Sequence, residues 1–425
     1  MVRLRLYAAV ALGFFGLALV GTLFGEEYNF IFADGRAYYV YLPSAVIDGD
    51  LDFTNQVREH YQVGFNPLPE RPAGRIFNKH PVGLALSLLP AFLLAHVLSA
   101  GLFALTGSAL VAPDGYSAAY QTVCLAAILG FGLMTLAIAD RWLTERYALR
   151  GWTSAAAVLL FWIGSNYAYY YFREPFMVHV TSAFWVAAAA ALALRLREGL
   201  AGGRPLGRDA FLFAGAAAMA FACRFSNAFL GVFVADLIWN AWRRGALRRL
   251  VRCLPAALAG LAPLAVQVAV WHATTGRAIV DPYPREGFRH WRNPYLWSTL
   301  FSQRHGLLSW SPILLLAVFG LWVRLRRGGL ADPLLRGYAA AFVLLWYANS
   351  SWYAWWFGDA FGGRAFLELA GLFALGLGFG VAELAERGVA ALRMGAVFAA
   401  LSVAWNWLLM LAWSMRWIRH NWNPF

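Results

Sequence analysis

Residues 117–139 read SAAYQTVCLAAILGFGLMTLAIA, a run without one charged side chain. An α-helix needs roughly 17–25 apolar residues to cross the hydrocarbon core of a bilayer, so this run predicts a membrane-spanning helix. The whole 425-residue chain shares this character, with 61% hydrophobic and only 13% charged residues. Soluble domains carry about 25% charged residues, and the composition therefore excludes a soluble enzyme. The 16% of aromatic residues also excludes a disordered chain.

The continuity of the apolar runs predicts the type of membrane fold. Lipid-exposed backbone must satisfy its own hydrogen bonds, so only helices and closed barrels cross a bilayer. Barrel strands alternate apolar and polar residues, whereas these runs are continuous and rich in Leu and Ala. We therefore predict an all-α, polytopic membrane protein, with a single domain over residues 1–425 and no separate soluble domain. The three cysteines show no paired spacing, so neither disulfides nor a zinc site is predicted.

The distribution of charge predicts which loops share a side of the membrane. The net charge is +13, and two strongly basic stretches lie at 195–208 and 243–252. Basic loops remain cytoplasmic, which explains the charge without a nucleic-acid partner. The apolar stretch between them is interrupted at 223–227. We therefore expect two short helices there, with Arg224 at the turn on the external side.

The same reasoning gives about eleven crossings, with the C-terminus outside. The first helix is expected to be uncleaved, because no small-residue cleavage site follows it. Besides 117–139 and the pair around Arg224, the predicted helices cover Leu6–Phe24, Trp152–Tyr170, Phe176–Leu194, Pro255–Trp271, Pro312–Val323, Tyr338–Tyr353, Glu368–Glu383 and Met394–Trp413.

The first external loop, about 25–116, holds one apolar segment that this topology cannot place as a crossing. Residues 81–105 must begin and end outside, and Pro90 lies in their middle. Because proline interrupts a helix, we expect a re-entrant or juxtamembrane hairpin. An ordinary pair of crossings is the alternative.

The predicted external loops carry an unusual set of charged and aromatic residues. Ionisable side chains near a membrane are costly and mark function by default. The loops read ADGRAYYVYLPSAVIDGDLDF (33–53), RIFNKHPVG (75–83), YYFREPFMVHVTSAFW (170–185), YPREGF (283–288), SQRHGLLSWSP (302–312) and WYAWWFGDAFGGRAF (352–366).

Three residues in these loops are candidates for acid–base catalysis. Asp34 follows the first helix and could act as a general base on a hydroxyl, although Asp-Gly before an apolar run is also a common helix cap. Glu174 and His179 flank the start of a helix. Their spacing does not place them on one helical face as a metal pair. His179 is equally well explained as a structural histidine at the membrane interface with its hydrogen bonds satisfied.

A second set is predicted to bind substrate. Cations gathered at an interface suit a phosphate attached to a lipid, although snorkelling arginines need no substrate. Trp352, Trp355 and Trp356 form either a stacking surface for a sugar or an aromatic belt. The alternating acids Asp48–Asp52 fit a solvated turn better than a calcium loop. The substrate-binding candidates are Lys79, His80, Arg224, Arg304, His305 and Arg364.

The order and sidedness of these motifs resemble the C-type membrane glycosyltransferases that use polyprenyl-phosphate sugars. The similarity is to the protein O-mannosyltransferases and the lipid A aminoarabinose transferase. Asp34, Gly49-Asp50 and Lys79-His80-Pro81 match the family's Asp, Gly-Asp and Lys-Pro elements, although His80 separates the last pair. His179 stands where relatives often carry an Asp. Arg224 matches the basic residue that ends the family's short fifth helix.

The resemblance implies a sugar donor on a polyprenyl phosphate, bound at the periplasmic face of the bacterial inner membrane. Asp34 would deprotonate the hydroxyl of a glycan, lipid or protein acceptor, with inversion at the anomeric carbon. Lys79, Arg224, Arg304 and Arg364 would stabilise the leaving phosphate. The resemblance does not firmly imply a metal, although Asp34 with Glu174 could bind a divalent ion, as in some relatives. The alternatives are a polysaccharide ligase or polymerase, which could use the external loop 272–309, and a transporter or flippase of lipid-linked sugars.

Overall fold

The chain is all-helical in the part that the structure describes. This computed structural model covers residues 7, 9–13, 15–16, 30–60, 76–149, 151–283 and 286–418, and no strand occurs among them. Most of the predicted helix Leu6–Phe24 lies outside the described residues.

The long helices follow one another through most of the chain. They are α1 Gly83–Thr106, α2 Ala118–Arg141, α3 Trp152–Gly164, α4 His179–Gly202, α5 Gly207–Cys223, α6 Gly231–Arg243, α7 Ala262–Thr275, α8 Ile313–Arg326, α9 Pro333–Ser351, α10 Ala370–Glu386 and α11 Val389–Ser414.

Shorter helical segments lie between the long ones. The α-helical ones are Asp34–Tyr39, Tyr41–Pro43, Thr54–Glu59, Tyr167–Phe172, Leu247–Arg252, Leu254–Gly260, Leu296–Phe301 and Leu307–Trp310. The 3₁₀ segments are Ala109–Val111, Phe225–Leu230, Gly329–Ala331 and Arg364–Leu369, and the π-helical turns are Ser44–Asp48 and Trp142–Arg146.

Five helical stretches in the described residues are long and apolar enough to cross a membrane. A sixth is formed if α7 and the segment before it, bent by 46°, count as one span. Gly83–Thr106 is not one of the eleven predicted crossings. Of the remaining predicted crossings, Leu6–Phe24 lies mostly outside the described residues, and the others do not meet this length and composition test, so the total of eleven stays a prediction. The five stretches are Gly83–Thr106, Ala118–Arg146, His179–Gly202, Arg364–Glu386 and Val389–Ser414.

The predicted hairpin within residues 81–105 is wrong. The segment forms the single helix α1, and Pro90 lies inside it without ending it. An apolar surrounding offers the backbone no hydrogen-bond partner outside the helix, so continuing the helix past one missing N–H costs less than opening it. Helix α1 packs antiparallel to α2, where Phe92 and His96 both contact the ring of Tyr120.

Two predicted helix boundaries also change. The helix predicted over 152–170 is interrupted at Ser165, whose backbone is extended. Helix α4 begins at His179 and continues to Gly202, so Arg195 and Arg197 lie on a helix rather than in a loop. By contrast, the break at Arg224 is confirmed, since this residue is extended between the end of α5 and the 3₁₀ turn before α6.

Glycines allow α8 and α10 to pack closely against each other. A Cβ on Gly320 would overlap the carbonyl oxygen of Gly376 and the backbone nitrogen of Gly380. Small residues four apart commonly let membrane helices pack backbone to backbone. This packing fixes α10, and with it the segment that leads from the 352–366 loop into the site described below.

Candidate functional site

A carboxylate and a guanidinium from opposite ends of the chain meet at the centre of the site. The Arg364 Nη1 atom lies 3.2 Å from Asp34 Oδ2. The Asp34 side chain is 43% exposed and that of Arg364 is 21% exposed. Asp34 opens the helix Asp34–Tyr39 without acting as its N-cap. The cap interpretation of Asp34 is therefore not supported, and its carboxylate is directed to Arg364 instead.

The short helix that carries Asp34 is fastened by its own aromatic residues. The Tyr39 hydroxyl donates to the Gly115 carbonyl at 2.7 Å, and the Tyr41 hydroxyl donates to the His80 carbonyl at 2.6 Å. Asn78 Nδ2 donates to the Ala37 carbonyl at 2.6 Å. These buried bonds hold the segment 76–80 beside the Asp34 helix, so Lys79 and His80 come near Asp34.

Arg364 is positioned by a glycine-rich turn. Gly358 and Gly362 have φ values of 69° and 61°, in the left-handed region that residues other than glycine rarely adopt. The Arg364 Nη2 atom donates to the Phe357 carbonyl at 3.1 Å. An arginine carries five N–H donors, and these two contacts leave the others of Arg364 for a further partner.

Glu174 is a second carboxylate close to Asp34, and the two interact electrostatically with each other and with Arg364. The Tyr169 hydroxyl donates to Glu174 Oε1 at 2.6 Å. Burial raises the pKa of Glu174, against the lowering effects of Tyr169 and Arg364. Although desolvation opposes it, the charges of Arg364 and Lys79 hold the pKa of Asp34 below its ordinary value. The site therefore separates the pKa values of two neighbouring acids, as acid–base sites do.

Arg224 and His179 belong to a buried group that includes an acid not predicted as a site residue. Arg224 Nη1 lies 2.9 Å from Glu368 Oε1, and His179 Nδ1 lies 3.0 Å from the same oxygen. The Glu368 and His179 side chains are 1% and 4% exposed. Arg224 Nη1 and His179 Nδ1 also lie 3.2 Å from each other, so the three groups form one mutually contacting cluster. The geometry favours a positioning role for His179 over direct proton transfer.

Tyr38 connects this buried group to Asp34, since its hydroxyl interacts electrostatically with Arg224, Asp34 and Arg364. The Tyr38 ring also lies 4.7 Å from the ring of His80. Burial lowers the pKa of His80 to about 4, so His80 is neutral near pH 7. His80 therefore adds no positive charge beside Asp34 near pH 7, and its role in substrate binding stays a prediction. Within the described residues, its Nδ1 atom has no hydrogen-bond partner.

Lys79 is paired with a carboxylate from the 283–288 loop. Its Nζ atom lies 2.6 Å from Glu286 Oε1 and 5.4 Å from the centre of the Tyr283 ring. Tyr283 in turn packs edge-on against Trp352. This arrangement puts an aromatic wall beside Lys79. It also means that Lys79, Arg224 and Arg364 each already have a carboxylate partner.

His305 packs among aromatic side chains. His305 is 1% exposed, and its ring stacks on Trp310 at 5.0 Å and packs edge-on against Trp413. Trp310 and Trp413 both contact Phe361. His305 thus packs into the aromatic group that lies against Phe361, a residue of the glycine-rich turn, and the predicted roles of Arg304 and His305 in substrate binding stay predictions.

The acids of the first loop serve local structure. Asp50 Oδ1 accepts from the Ser44 hydroxyl and from the Asp52 amide, both at 3.1 Å. Asp52 Oδ1 accepts from the Thr54 amide and hydroxyl. Asp48 accepts from Asn55 and Gln56. These bonds fit the solvated turn. Across the described part of the chain, no group of three or more His, Cys, Asp or Glu side chains is placed to hold a metal ion.

Sequence reasoning passed over Glu368 and Glu286. Glu368 was used only to mark the start of a predicted helix, and Glu286 lay unassigned inside the YPREGF motif. A signal for Glu368 was present, because an acid in the apolar run AFLELAGLF requires a buried partner.

Comparisons with protein-family models, curated proteins and solved structures found no match for this chain.

Proposed function

We propose that the protein is a membrane glycosyltransferase that moves a sugar from a polyprenyl-phosphate donor to an acceptor hydroxyl. The observation that carries this proposal is the contact of the half-exposed Asp34 carboxylate with Arg364, beside Glu174 and Lys79. A base and a phosphate-binding cation are then adjacent, as transfer from a lipid phosphate requires. The resemblance of the external motifs to C-type glycosyltransferases supports the same chemistry.

In the proposed reaction, Asp34 accepts the proton of the acceptor hydroxyl. The acceptor oxygen forms a bond to the anomeric carbon as the bond from that carbon to the phosphate oxygen breaks, and the configuration inverts. The lipid phosphate leaves with the electron pair. Arg364 stabilises its charge through the N–H donors that Asp34 and Phe357 do not use, and Lys79 assists by exchanging Glu286 for the phosphate.

The tyrosine and tryptophan side chains beside Lys79 would bind the sugar by stacking. Arg224 would act mainly through Glu368 and Tyr38, which places it behind the phosphate site rather than in it.

A direct test uses the purified protein in proteoliposomes with a panel of labelled polyprenyl-phosphate sugars. Sugar released to an acceptor supports the proposal. Movement of an intact lipid-linked sugar between leaflets, without transfer, would instead identify a flippase. Growth of a polymer from lipid diphosphate units would identify a polymerase or ligase.

The proposed location is the bacterial inner membrane, with about eleven crossings and the Asp34 site on the periplasmic side. In cells treated with a membrane-impermeant maleimide, a cysteine at Ser226 should react, whereas cysteines at Arg204 or Arg248 should react only after permeabilisation. The native cysteines Cys124, Cys223 and Cys253 are buried and provide a low background. If a cysteine at Arg204 reacted in intact cells while one at Ser226 was protected, the proposed topology would have to be reversed.

The dependence of transfer on pH should identify the base. Asp34, with its lowered pKa, remains ionised down to strongly acidic pH, so a loss of activity already above the ordinary Glu value would point to Glu174. Arg364→Gln removes the largest effect that lowers the pKa of Asp34 while desolvation remains. The acidic limb of kcat should therefore move to higher pH, whereas Arg277→Gln, at an exposed arginine of the 272–309 loop, should leave it in place. An unmoved limb in Arg364→Gln would contradict the assignment of Asp34 as base.

A further inference from the structure

A polar cavity of about 600 Å³ lies at the other end of the helix bundle. Arg197, which lines it, follows His179 by eighteen positions on helix α4, or about 27 Å along the helix axis. The cavity is therefore well separated from Asp34 and Arg364. Its other lining residues include Trp239, Asn240, Arg243, Arg244 and Arg336.

The charge of this cavity is strongly positive. Four arginines line it, and Asp236 neutralises one charge by binding both Arg197 and Arg336. This acid is 14% exposed, so it holds the two guanidiniums in place from behind. Arg243 and Arg244 remain exposed. The lining thus retains a net charge of about +3 for an anion.

A buried amide in the same cavity lacks a partner. Asn240 is 5% exposed, and its Oδ1 atom accepts from Arg244 Nε at 3.1 Å. That bond orients the amide group, and its Nδ2 donor has no hydrogen-bond partner among the described residues. Buried donors are rarely left unsatisfied, and Asn240 lines the cavity, so its amide adds a neutral polar group to the four arginines.

Aromatic side chains at the rim indicate where the ligand comes from. Trp239 and Trp242 are 55% and 59% exposed, and their rings lie 5.0 Å apart. Exposed tryptophans are enriched at the level of lipid headgroups. A ligand that reaches this cavity between α6 and α9 therefore comes from the membrane surface more readily than from bulk water.

We infer that this cavity binds the phosphate headgroup of an anionic phospholipid. The arginine guanidiniums and the Asn240 amide donate to the phosphate oxygens, and the tryptophans contact the glycerol and upper acyl chains. Basic pockets between membrane helices are suited to such headgroups. The site is independent of the proposed transferase reaction.

The test measures phosphatidylglycerol binding to the full-length protein in detergent by native mass spectrometry, with phosphatidylcholine and inorganic phosphate as competitors. Arg243→Gln/Arg244→Gln removes two exposed cavity arginines. Arg248→Gln/Arg252→Gln removes the same charge from exposed positions nearby, outside the cavity lining. Asn240→Ala removes the orphan donor.

We expect phosphatidylglycerol binding to weaken about tenfold or more in the cavity variant, severalfold in Asn240→Ala, and little in the matched control. Unfolding temperatures should agree between the two double variants. Equal binding in both double variants, or no preference over phosphatidylcholine, would overturn the site. Displacement by millimolar inorganic phosphate would reassign the cavity to a soluble anion.

Discussion

Asp34→Asn is expected to lower sugar transfer by about 10²–10⁴-fold, the usual contribution of a positioned general base, while donor binding is retained. The substitution preserves the shape of the side chain and its contact distance to Arg364, but it removes the basic oxygen. The measurement is transfer from polyprenyl-phosphate donors in proteoliposomes, with donor binding determined separately.

Two further variants serve as comparisons for Asp34→Asn. Glu59→Gln alters an exposed acid of the first external loop, paired with the likewise exposed Arg58, and should leave transfer nearly unchanged. Glu174→Gln should reduce transfer by less than Asp34→Asn, because the Glu174 side chain is engaged by Tyr169. Full activity in Asp34→Asn together with a large loss in Glu174→Gln would reassign the base to Glu174.

The sequence was sufficient to predict the helical class and the local break at Arg224. Long, continuous apolar runs can satisfy their backbone hydrogen bonds in lipid as helices. The segment around Arg224 lies between two arginine-rich stretches that should share one side of the membrane, so the chain has to turn there. The prediction failed at Pro90 because it treated a proline as a helix end. Whether a proline ends a helix depends on what else can satisfy the backbone, and that depends on the surroundings rather than on the residue.

The sequence identified candidate site residues, but it could not show which of them contact one another. Asp34 and Arg364 are 330 positions apart, and their contact depends on how the bundle brings two loops together. Likewise, the type of residue at position 80 does not reveal that burial keeps His80 neutral. The sequence therefore indicated which loops carry charged residues, whereas each cation's partner could be identified only from the folded arrangement.

This distinction matters most for Arg224, which the resemblance makes a phosphate ligand. Arg224→Ala should destabilise the protein by about 3–5 kcal/mol, the usual effect of removing one partner from a buried ion pair. Glu368 is 1% exposed, and without Arg224 its charge would be left with His179 alone. Thermal and denaturant unfolding in detergent measure the effect.

The exposed pair Arg141–Glu145, whose side chains are 74% and 63% accessible, supplies the control. Arg141→Ala should change stability little, because solvent already screens that pair. The double variant Arg224→Leu/Glu368→Leu should recover much of the loss, since replacing both charges leaves no buried ion unpaired. Suppose instead that Arg224→Ala were as stable as Arg141→Ala but bound the donor more weakly. The Arg224–Glu368 pair would then contribute little to stability, as a solvent-exposed pair does. Arg224 would then contact the phosphate directly instead of supporting the site through Glu368.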